Sequence, residues 1–198
     1  MRFHVGLLVV FFAVLIWSAV NPHDYFTWFL EVLPALIGAV VLALTYKRFQ
    51  FTRLLYVLIL IHCIILMVGG HYTYAEVPLF DTIRDAFDQS RNNYDKVGHF
   101  AQGFVPAMIA REILVRKHVV NSRGWLNVLV VSLAMAISVS YEFIEWWVAE
   151  ATGESAEAFL GTQGYVWDTQ SDMLYATMGA IAALVLLGRW HSRMMERD

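Results

Sequence analysis

The sequence is poor in cysteine and in charged residues, and both shortages restrict the class of protein. A single cysteine among 198 residues excludes any disulfide within the chain. Charged residues make up 16% of the chain, well below the roughly 25% of soluble domains. Hydrophobic residues make up 59%, and several apolar runs approach the length of about 20 residues that a membrane span needs. The sequence therefore predicts a membrane protein.

The sequence also lacks the common signatures of metalloproteases, triad hydrolases and nucleic-acid-binding proteins. It contains no HExxH motif, and the spacing of its residues supports no Ser-His-Asp or Cys-His arrangement. It has no basic patch of the kind that binds nucleic acid, so no nucleic-acid partner is expected. No repeat, linker or low-complexity tract divides it, which predicts a single membrane domain over residues 1–198.

Six apolar runs predict an all-α bundle of about six transmembrane helices. The runs lie near residues 3–20, 26–46, 54–70, 97–115, 126–148 and 172–187. The first could be a signal peptide that ends at Ser18-Ala19, but its length favours a retained span. Two polar loops, 72–94 and 149–169, lie between spans. Within the first loop, residues 79–89 show apolar residues at helical spacing, which predicts a short interfacial helix.

The distribution of charge predicts the orientation of these spans. If the N-terminus is cytoplasmic, only Arg84, Arg91 and Lys96 among the fourteen basic residues fall on the outer side, as the positive-inside rule requires. Both termini are therefore predicted to be cytoplasmic, in a bacterial inner membrane. All but three of the seventeen acidic residues fall on the outer side. Acids contribute little to topology, so this asymmetry has two interpretations: outer loops simply tolerate acids, or the outer face collects carboxylates for a function.

Ionisable and polar residues gather within about one helical turn of a common depth at the outer ends of four spans. Each would cost several kcal/mol if it faced lipid, so these side chains are expected to face inward and meet. They are His71 and Tyr72 on the third span, Asp95, Lys96, His99 and Gln102 on the fourth, Glu142 and Glu145 on the fifth, and Asp168 and Asp172 on the sixth.

This cluster has two open interpretations. In the structural one, the groups pair across helices, with Lys96 on a carboxylate and His99 on Glu142 or Asp172. In the functional one, they bind a divalent metal ion (Zn²⁺ or Mn²⁺) or a lipid-linked head group. A metal-bound water at the outer leaflet would suit a hydrolase or transferase that acts on a phosphate or ester.

The functional interpretation assigns roles to particular residues. The predicted metal ligands are His71, His99, Glu142, Asp168 and Asp172. The predicted catalytic groups are Asp95, His99, Glu142 and Glu145. The predicted substrate contacts are Tyr72, Lys96, Gln102, Gln163 and Trp167. Membrane lipids and a lipid-linked head group are the expected partners.

Two other functions stay open. The carboxylates and His62, near the middle of the third span, would suit a small proton or cation transporter. The chain could also be a scaffold without chemistry. Two further features are read as structural: Glu112 and Arg116 form an i, i+4 pair near the inner surface, and Gly98, Gly103 and Gly179 allow close helix approach.

Three segments resemble the YjdF-like family of bacterial inner-membrane proteins. They are residues 95–100 (DKVGHF), 142–147 (EFIEWW) and 163–173 (QGYVWDTQSDM). The resemblance covers nearly the whole chain. That family is catalogued as a domain of unknown function, so the resemblance implies a location in the inner membrane and no activity.

A second likeness is to VanZ-like membrane proteins. It depends on the helix start Asp95-Lys96-x-x-His99, on Glu142, and on Asp172 with Gly179. The chain departs from that pattern at three positions: Glu145 stands where glutamine is usual, Trp167 where arginine is usual, and Ala176 where asparagine is usual. These departures argue against carrying over the glycopeptide-resistance role of those proteins, and they leave a polar site at the outer leaflet as the expectation from this likeness.

Overall fold

The computed structural model describes residues 2–153, 159 and 162–196. In these residues the chain forms seven α-helices and no β-strand, which confirms the all-α prediction. The helices are α1 (Arg2–Ala19), α2 (Tyr25–Thr45), α3 (Arg53–His71), α4 (Pro78–Ala86), α5 (Tyr94–Arg116), α6 (Arg123–Thr152) and α7 (Asp168–Met195).

Five of these helices are long and apolar enough to cross a membrane, and they coincide with five of the six predicted runs. They are α1, α2, α3, α6 and α7. The remaining run, 97–115, lies in α5, whose 23 residues span about 34 Å. Its length would suffice for a crossing, but its charged residues lower its mean hydropathy.

The two predicted loops differ in outcome. The short helix predicted within residues 79–89 is present as α4 (Pro78–Ala86), so the loop 72–94 is partly helical. In the second loop, 149–169, helix α6 continues to Thr152 and α7 begins at Asp168. Residues 154–158, 160 and 161 of that loop lie outside the described residues.

Helix α5 lies at the centre of the bundle. It packs against α3, α6 and α7, and about half of its residues are buried, including Asp95, Lys96, Arg111 and Glu112. A helix covered by its neighbours shows little charge to lipid, so it tolerates polar residues that a peripheral span would not. Its position therefore explains how the most polar of the long helices fits in an apolar bundle.

Helices α5 and α7 approach each other closely at two glycines. A Cβ atom on Gly103 would collide with the backbone carbonyl of Ala176, and one on Gly179 would collide with the carbonyl of Phe100. The prediction that these two glycines allow close helix approach is confirmed. Gly98 instead faces the ring of Tyr74. The close contact brings the first turns of α5 and α7 together, and those turns carry most of the site.

The middle of the bundle is apolar. Leu55, Met108, Val130, Ala134 and Ala180 are almost completely buried and form one cluster between α3, α5, α6 and α7. A separate cluster fills the space between α1, α2 and α3 and includes the single cysteine, Cys63. The first cluster separates two polar regions that lie at opposite ends of α5.

Candidate functional site

The ammonium group of Lys96 lies at the centre of a buried ion cluster. Its Nζ donates to Asp95 Oδ2 at 3.1 Å, to Asp168 Oδ1 at 2.7 Å and to Asp172 Oδ1 at 2.6 Å. Lys96 and the three aspartates are each at most 7% exposed. Lys96 and Asp95 occupy the first turn of α5, while Asp168 and Asp172 are one turn apart at the start of α7. The predicted pairing of Lys96 with a carboxylate is confirmed, and it joins these two helices.

A second cation, Arg91, closes the cluster from the loop before α5. Its Nη1 donates to Asp168 Oδ1 at 2.5 Å, and its Nη2 donates to Asp95 Oδ2 at 3.2 Å. The side chain is 8% exposed. Arg91 lies in the loop 72–94, and no partner was predicted for it from the sequence. Its i, i+4 spacing to Asp95 was the available signal, and α5 begins only three residues later.

His99 adjoins carboxylates from three helices. Its Nε2 lies 3.2 Å from Asp95 Oδ1 and 3.8 Å from Asp172 Oδ1. Its Nδ1 lies 3.2 Å from Gln102 Oε1 and 3.8 Å from Glu142 Oε1. The predicted partners Glu142 and Asp172 are therefore both near the imidazole, but Asp95 is the nearest carboxylate.

Asp95, His99 and Asp172 lie close enough together that they could hold a metal ion. One ligand atom from each lies within 4.8 Å of the other two, and all three residues are buried. This group differs from the predicted ligand set. Glu142 is near His99 but lies outside the tight group, and Asp168 is engaged by Arg91 and Lys96. Asp95, predicted as a catalytic group, is the third member.

His71 and Tyr72 are not brought to this cluster. The Nδ1 of His71 donates to the backbone oxygen of Ser18 at 3.0 Å, and its ring centre lies 4.7 Å from that of Trp17. The ring of Tyr72 contacts Trp17, His23 and His71. These contacts join the outer ends of α1 and α3. The geometry therefore does not support His71 as a ligand beside His99, or Tyr72 as a substrate contact of this cluster, because both side chains point to α1.

Gln163 and Trp167 also lie outside the cluster. The Oε1 of Gln163 accepts from the backbone N–H of Asn92 at 3.0 Å, and its Nε2 donates to the Asn92 carbonyl at 2.8 Å. Asn92 is fully buried, and its Oδ1 accepts from the backbone N–H of Tyr94 at the start of α5. Gln163 thus fixes the loop that carries Arg91. Trp167 precedes α7 and is 62% exposed.

A cavity of about 200 Å³ lies on the other side of His99. Its wall combines apolar residues such as Leu66 and Ile137 with a larger set of polar ones. The polar lining residues are Glu31, His62, Tyr74, Asp95, His99, Gln102, Tyr141 and Glu145. Gln102, predicted as a substrate contact, and Glu145, predicted as a catalytic group, both reach this cavity.

Glu31 and Glu145 line the cavity, Glu142 lies beside His99, and of these three only Glu31 was not predicted. Glu31 of α2 is 5% exposed and accepts from the hydroxyl of Tyr141 at 3.3 Å. Glu142 is 6% exposed, and its Oε1 has no hydrogen-bond partner among the described residues. Tyr74 follows α3, and burial, followed by the charge of Glu31, raises the pKa of its hydroxyl well above its usual value. Tyr74 therefore remains a protonated hydroxyl at neutral pH.

The buried acidic side chains outnumber the buried basic ones around this site. Arg91 and Lys96 are the cations, joined by His99 when it is protonated. Carboxylates without a counter-charge are costly to bury, so protons or a bound cation must neutralise the excess. The six buried carboxyl groups are Glu31, Asp95, Glu142, Glu145, Asp168 and Asp172.

Apolar helices around a buried polar site define a multi-pass helical membrane protein. Residues 3–193 match the family described as "Predicted membrane protein (DUF2238)", and the chain belongs to this family. The chain is 50% identical over 184 residues to the inner membrane protein YjdF of Escherichia coli (strain K12), an alignment that covers 93% of this chain and 88% of that protein. No solved structure matches the chain.

These comparisons confirm the YjdF-like resemblance and the location in the inner membrane. They name no activity, so the argument for function depends on the site itself. The likeness to VanZ-like proteins stays a prediction.

Proposed function

We propose that the protein binds a divalent cation, Zn²⁺ or Mn²⁺, through Asp95, His99 and Asp172, and that the ion acts on a lipid-linked head group held in the adjoining cavity. The observation that carries this proposal is the convergence of three ligand atoms within 4.8 Å on buried side chains of two helices. A mixture of imidazole and carboxylate ligands suits both ions.

The distances within this group support an ion of that size. Zinc ligands lie about 2.0–2.2 Å from the metal, which puts tetrahedral ligand atoms roughly 3.3–3.6 Å apart. The Nε2 of His99 is 3.2 Å from Asp95 Oδ1 and 3.8 Å from Asp172 Oδ1, so these separations bracket the expected one. Lys96 binds the other oxygen of Asp95, Oδ2. The ammonium group and the ion can therefore share this carboxylate, whereas the ion would compete with Lys96 for Oδ1 of Asp172, which accepts from Nζ at 2.6 Å.

The cavity supplies the groups that a reaction on a head group would need. A bound divalent ion would supply an activated water as the nucleophile for a phosphate or an ester, and a nearby carboxylate would take its proton. Glu142 and Glu145 are the candidates, because Glu142 Oε1 is 3.8 Å from the imidazole of His99 and Glu145 lines the cavity. Gln102 would contact the head group, while apolar residues such as Leu66 would face its lipid portion.

The proposal includes a topology of six spans in one membrane domain, with both termini in the cytoplasm. Helix α5, the fourth span along the chain, completes the six in this scheme, since α3, α6 and α7 cover its charged residues. The carboxylates then face the periplasm, and the basic turns after α2, α5 and α7 face the cytoplasm.

A reporter fused after Asp198 is expected to be active only if it functions in the cytoplasm, because the positive-inside rule places the C-terminal arginines there. A paired fusion within residues 88–90, in the loop between α4 and α5, serves as the opposite control and should report the periplasm. Activity of a periplasm-specific reporter after Asp198 would contradict this topology.

The alternative of a proton or cation path is less well supported. The cavity does reach inward to His62, whose Nε2 is buried without a hydrogen-bond partner among the described residues. Beyond His62 the bundle is filled by the apolar cluster around Leu55, Met108 and Val130. A continuous path needs polar groups or water through this layer, so the geometry favours a site that is open to one side.

Metal analysis of the purified protein tests the proposed function. We expect the wild type, prepared without chelators, to retain close to one Zn²⁺ or Mn²⁺ per chain. His99→Ala and Asp172→Asn are each expected to weaken metal binding by about tenfold or more, since each removes a ligand. Asp85→Asn is the matched control, because Asp85 is an outer-side acid on α4 whose side chain is 70% exposed.

The outcomes separate the proposal from its alternatives. Metal content that is equal in the wild type, the two site variants and the Asp85→Asn control would contradict it. If the wild type contains no metal and the site variants only lose thermal stability, the cluster serves to hold the helices together. Uptake of protons or cations by proteoliposomes, abolished in the site variants, would favour the transporter instead.

A further inference from the structure

A second polar pocket lies at the opposite end of the bundle, between α5, α6 and α7. It encloses about 410 Å³. Arg111 contributes from α5, sixteen residues and about 24 Å from Asp95, so this pocket is separate from the candidate metal site. Among the described residues, no acidic side chain lines it. Its polar lining consists of Arg111, Arg123, Asn127, Arg189, Ser192 and Arg193.

The arginine at the base of the pocket has only neutral partners. Arg111 is 8% exposed; its Nη1 donates to His191 Nδ1 at 3.1 Å and its Nη2 donates to Ser192 Oγ at 2.7 Å. None of the four arginines forms a salt bridge with a carboxylate in the part of the chain that the structure describes. Four guanidinium groups therefore share one concave surface that no carboxylate lines, and the nearby Glu112 is separated from Arg111 by the imidazole of His191.

Such a surface favours an anion for electrostatic and geometric reasons. Like charges repel more strongly where low-dielectric helices replace water, and an anion between them relieves that repulsion. A guanidinium group donates two parallel hydrogen bonds to phosphate oxygens. Helix α6 begins at Arg123 on the rim of the pocket, so the positive end of its dipole adds to the attraction.

We propose that this pocket binds a phosphate group of net negative charge, carried by an anionic phospholipid or by a soluble phosphate. Basic pockets between transmembrane helices at the cytoplasmic side are a known means of holding anionic head groups. The pocket opens where three exposed arginines, Arg123, Arg189 and Arg193, surround the buried one. A head group could therefore enter from the inner leaflet, and a soluble phosphate could enter from the cytoplasm.

The test measures whether phosphate-bearing probes stabilise the full-length protein in a neutral detergent. Thermal unfolding is followed through Cys63, the only cysteine, whose burial delays its reaction with a thiol-reactive dye until the protein unfolds. The probes are dihexanoyl phosphatidylglycerol, dihexanoyl phosphatidylcholine and sodium phosphate against sodium chloride at equal ionic strength. We expect phosphatidylglycerol to raise the unfolding temperature in a saturable way, and phosphatidylcholine not to do so.

A paired substitution locates the effect. Arg123→Gln/Arg189→Gln removes two exposed charges from the pocket and is expected to weaken phosphatidylglycerol binding by about tenfold or more, since charge-assisted hydrogen bonds are lost. Lys47→Gln/Arg48→Gln is the matched control. It removes two exposed charges from the turn after α2, outside the pocket, and should leave binding unchanged.

The probes also identify the source of the phosphate. Stabilisation by phosphatidylglycerol alone assigns the pocket to a lipid head group, and equal stabilisation by sodium phosphate assigns it to a soluble phosphate. Both results support the proposal. It is overturned if neither probe stabilises the wild type beyond phosphatidylcholine and chloride, or if the control pair loses binding as much as the pocket pair.

Discussion

Replacing Lys96 with methionine is expected to destabilise the protein by about 3–5 kcal/mol, because it removes one partner from a buried charged set. The substitution keeps an unbranched side chain that is one atom shorter, and it removes the ammonium group that contacts Asp95, Asp168 and Asp172. Arg91 still reaches Asp95 and Asp168. Asp172, which is only 3% exposed, then loses Lys96, its strongest partner. The measurement is the temperature at which Cys63 becomes reactive to a thiol dye.

Two comparisons make this prediction specific. Lys47→Met removes an exposed lysine from the turn after α2 and should leave the unfolding temperature nearly unchanged. The double substitution Lys96→Met/Asp172→Asn removes one charge of each sign and should recover part of the loss, since neighbouring charges couple. If Lys96→Met unfolds at the same temperature as Lys47→Met, the ion cluster does not hold α5 to α7.

The sequence predicted the helices well because apolar runs report directly on burial in lipid. Apolar runs describe α5 less well than the other long helices, because its polar residues lower the mean hydropathy of the segment. Its role as the central helix depends on Gly103 and Gly179, which admit α7, and on the cover that α3 and α6 provide. The absence of a side chain within apolar spans identified these glycines as contact points, but it could not say which helices would meet there.

The sequence predicted the membrane depth of the site residues but not the direction in which each side chain points. A rise of about 1.5 Å per residue placed His71, His99, Glu142 and Asp172 at similar depths, and that reasoning needs no tertiary structure. Which of them meet depends on how each helix is rotated and which helix lies beside it. The expectation that His71 meets the other three residues is not supported, since its ring faces Ser18 on α1.

The residues that sequence reasoning missed act across long sequence separations. Arg91 reaches Asp168, 77 residues later, and Tyr141 reaches Glu31 across 110 residues. No periodicity relates these pairs. Asn92 was also missed, because a buried asparagine that organises a loop has the same local pattern as an exposed one. The i, i+4 pair of Glu112 and Arg116 was predicted, and its ion pair at 2.8 Å confirms it.

Glu112 has more partners than that pair, and replacing it is expected to have the second large effect. Glu112 is fully buried and accepts from the backbone N–H of Thr52 at 2.9 Å, from the Thr52 hydroxyl at 2.8 Å and from His191 Nε2 at 2.8 Å. Glu112→Leu leaves these donors unpaired in an apolar surrounding. We expect a loss of about 3–5 kcal/mol, measured again by the temperature at which Cys63 reacts.

The control for Glu112 is Glu150→Leu, which changes an exposed glutamate near the end of α6. Equal unfolding temperatures for the two variants would show that Glu112 does not organise the inner end of the bundle.

Lys96 and Glu112 lie on the same helix, sixteen residues and about 24 Å apart, with the apolar cluster around Met108 between them. Substitutions this far apart without shared partners usually add within about 0.5 kcal/mol. A combined Lys96→Met/Glu112→Leu protein should therefore lose the sum of the two effects. A markedly smaller loss would mean that the two substitutions are energetically coupled through α5, and that the two polar regions are not independent.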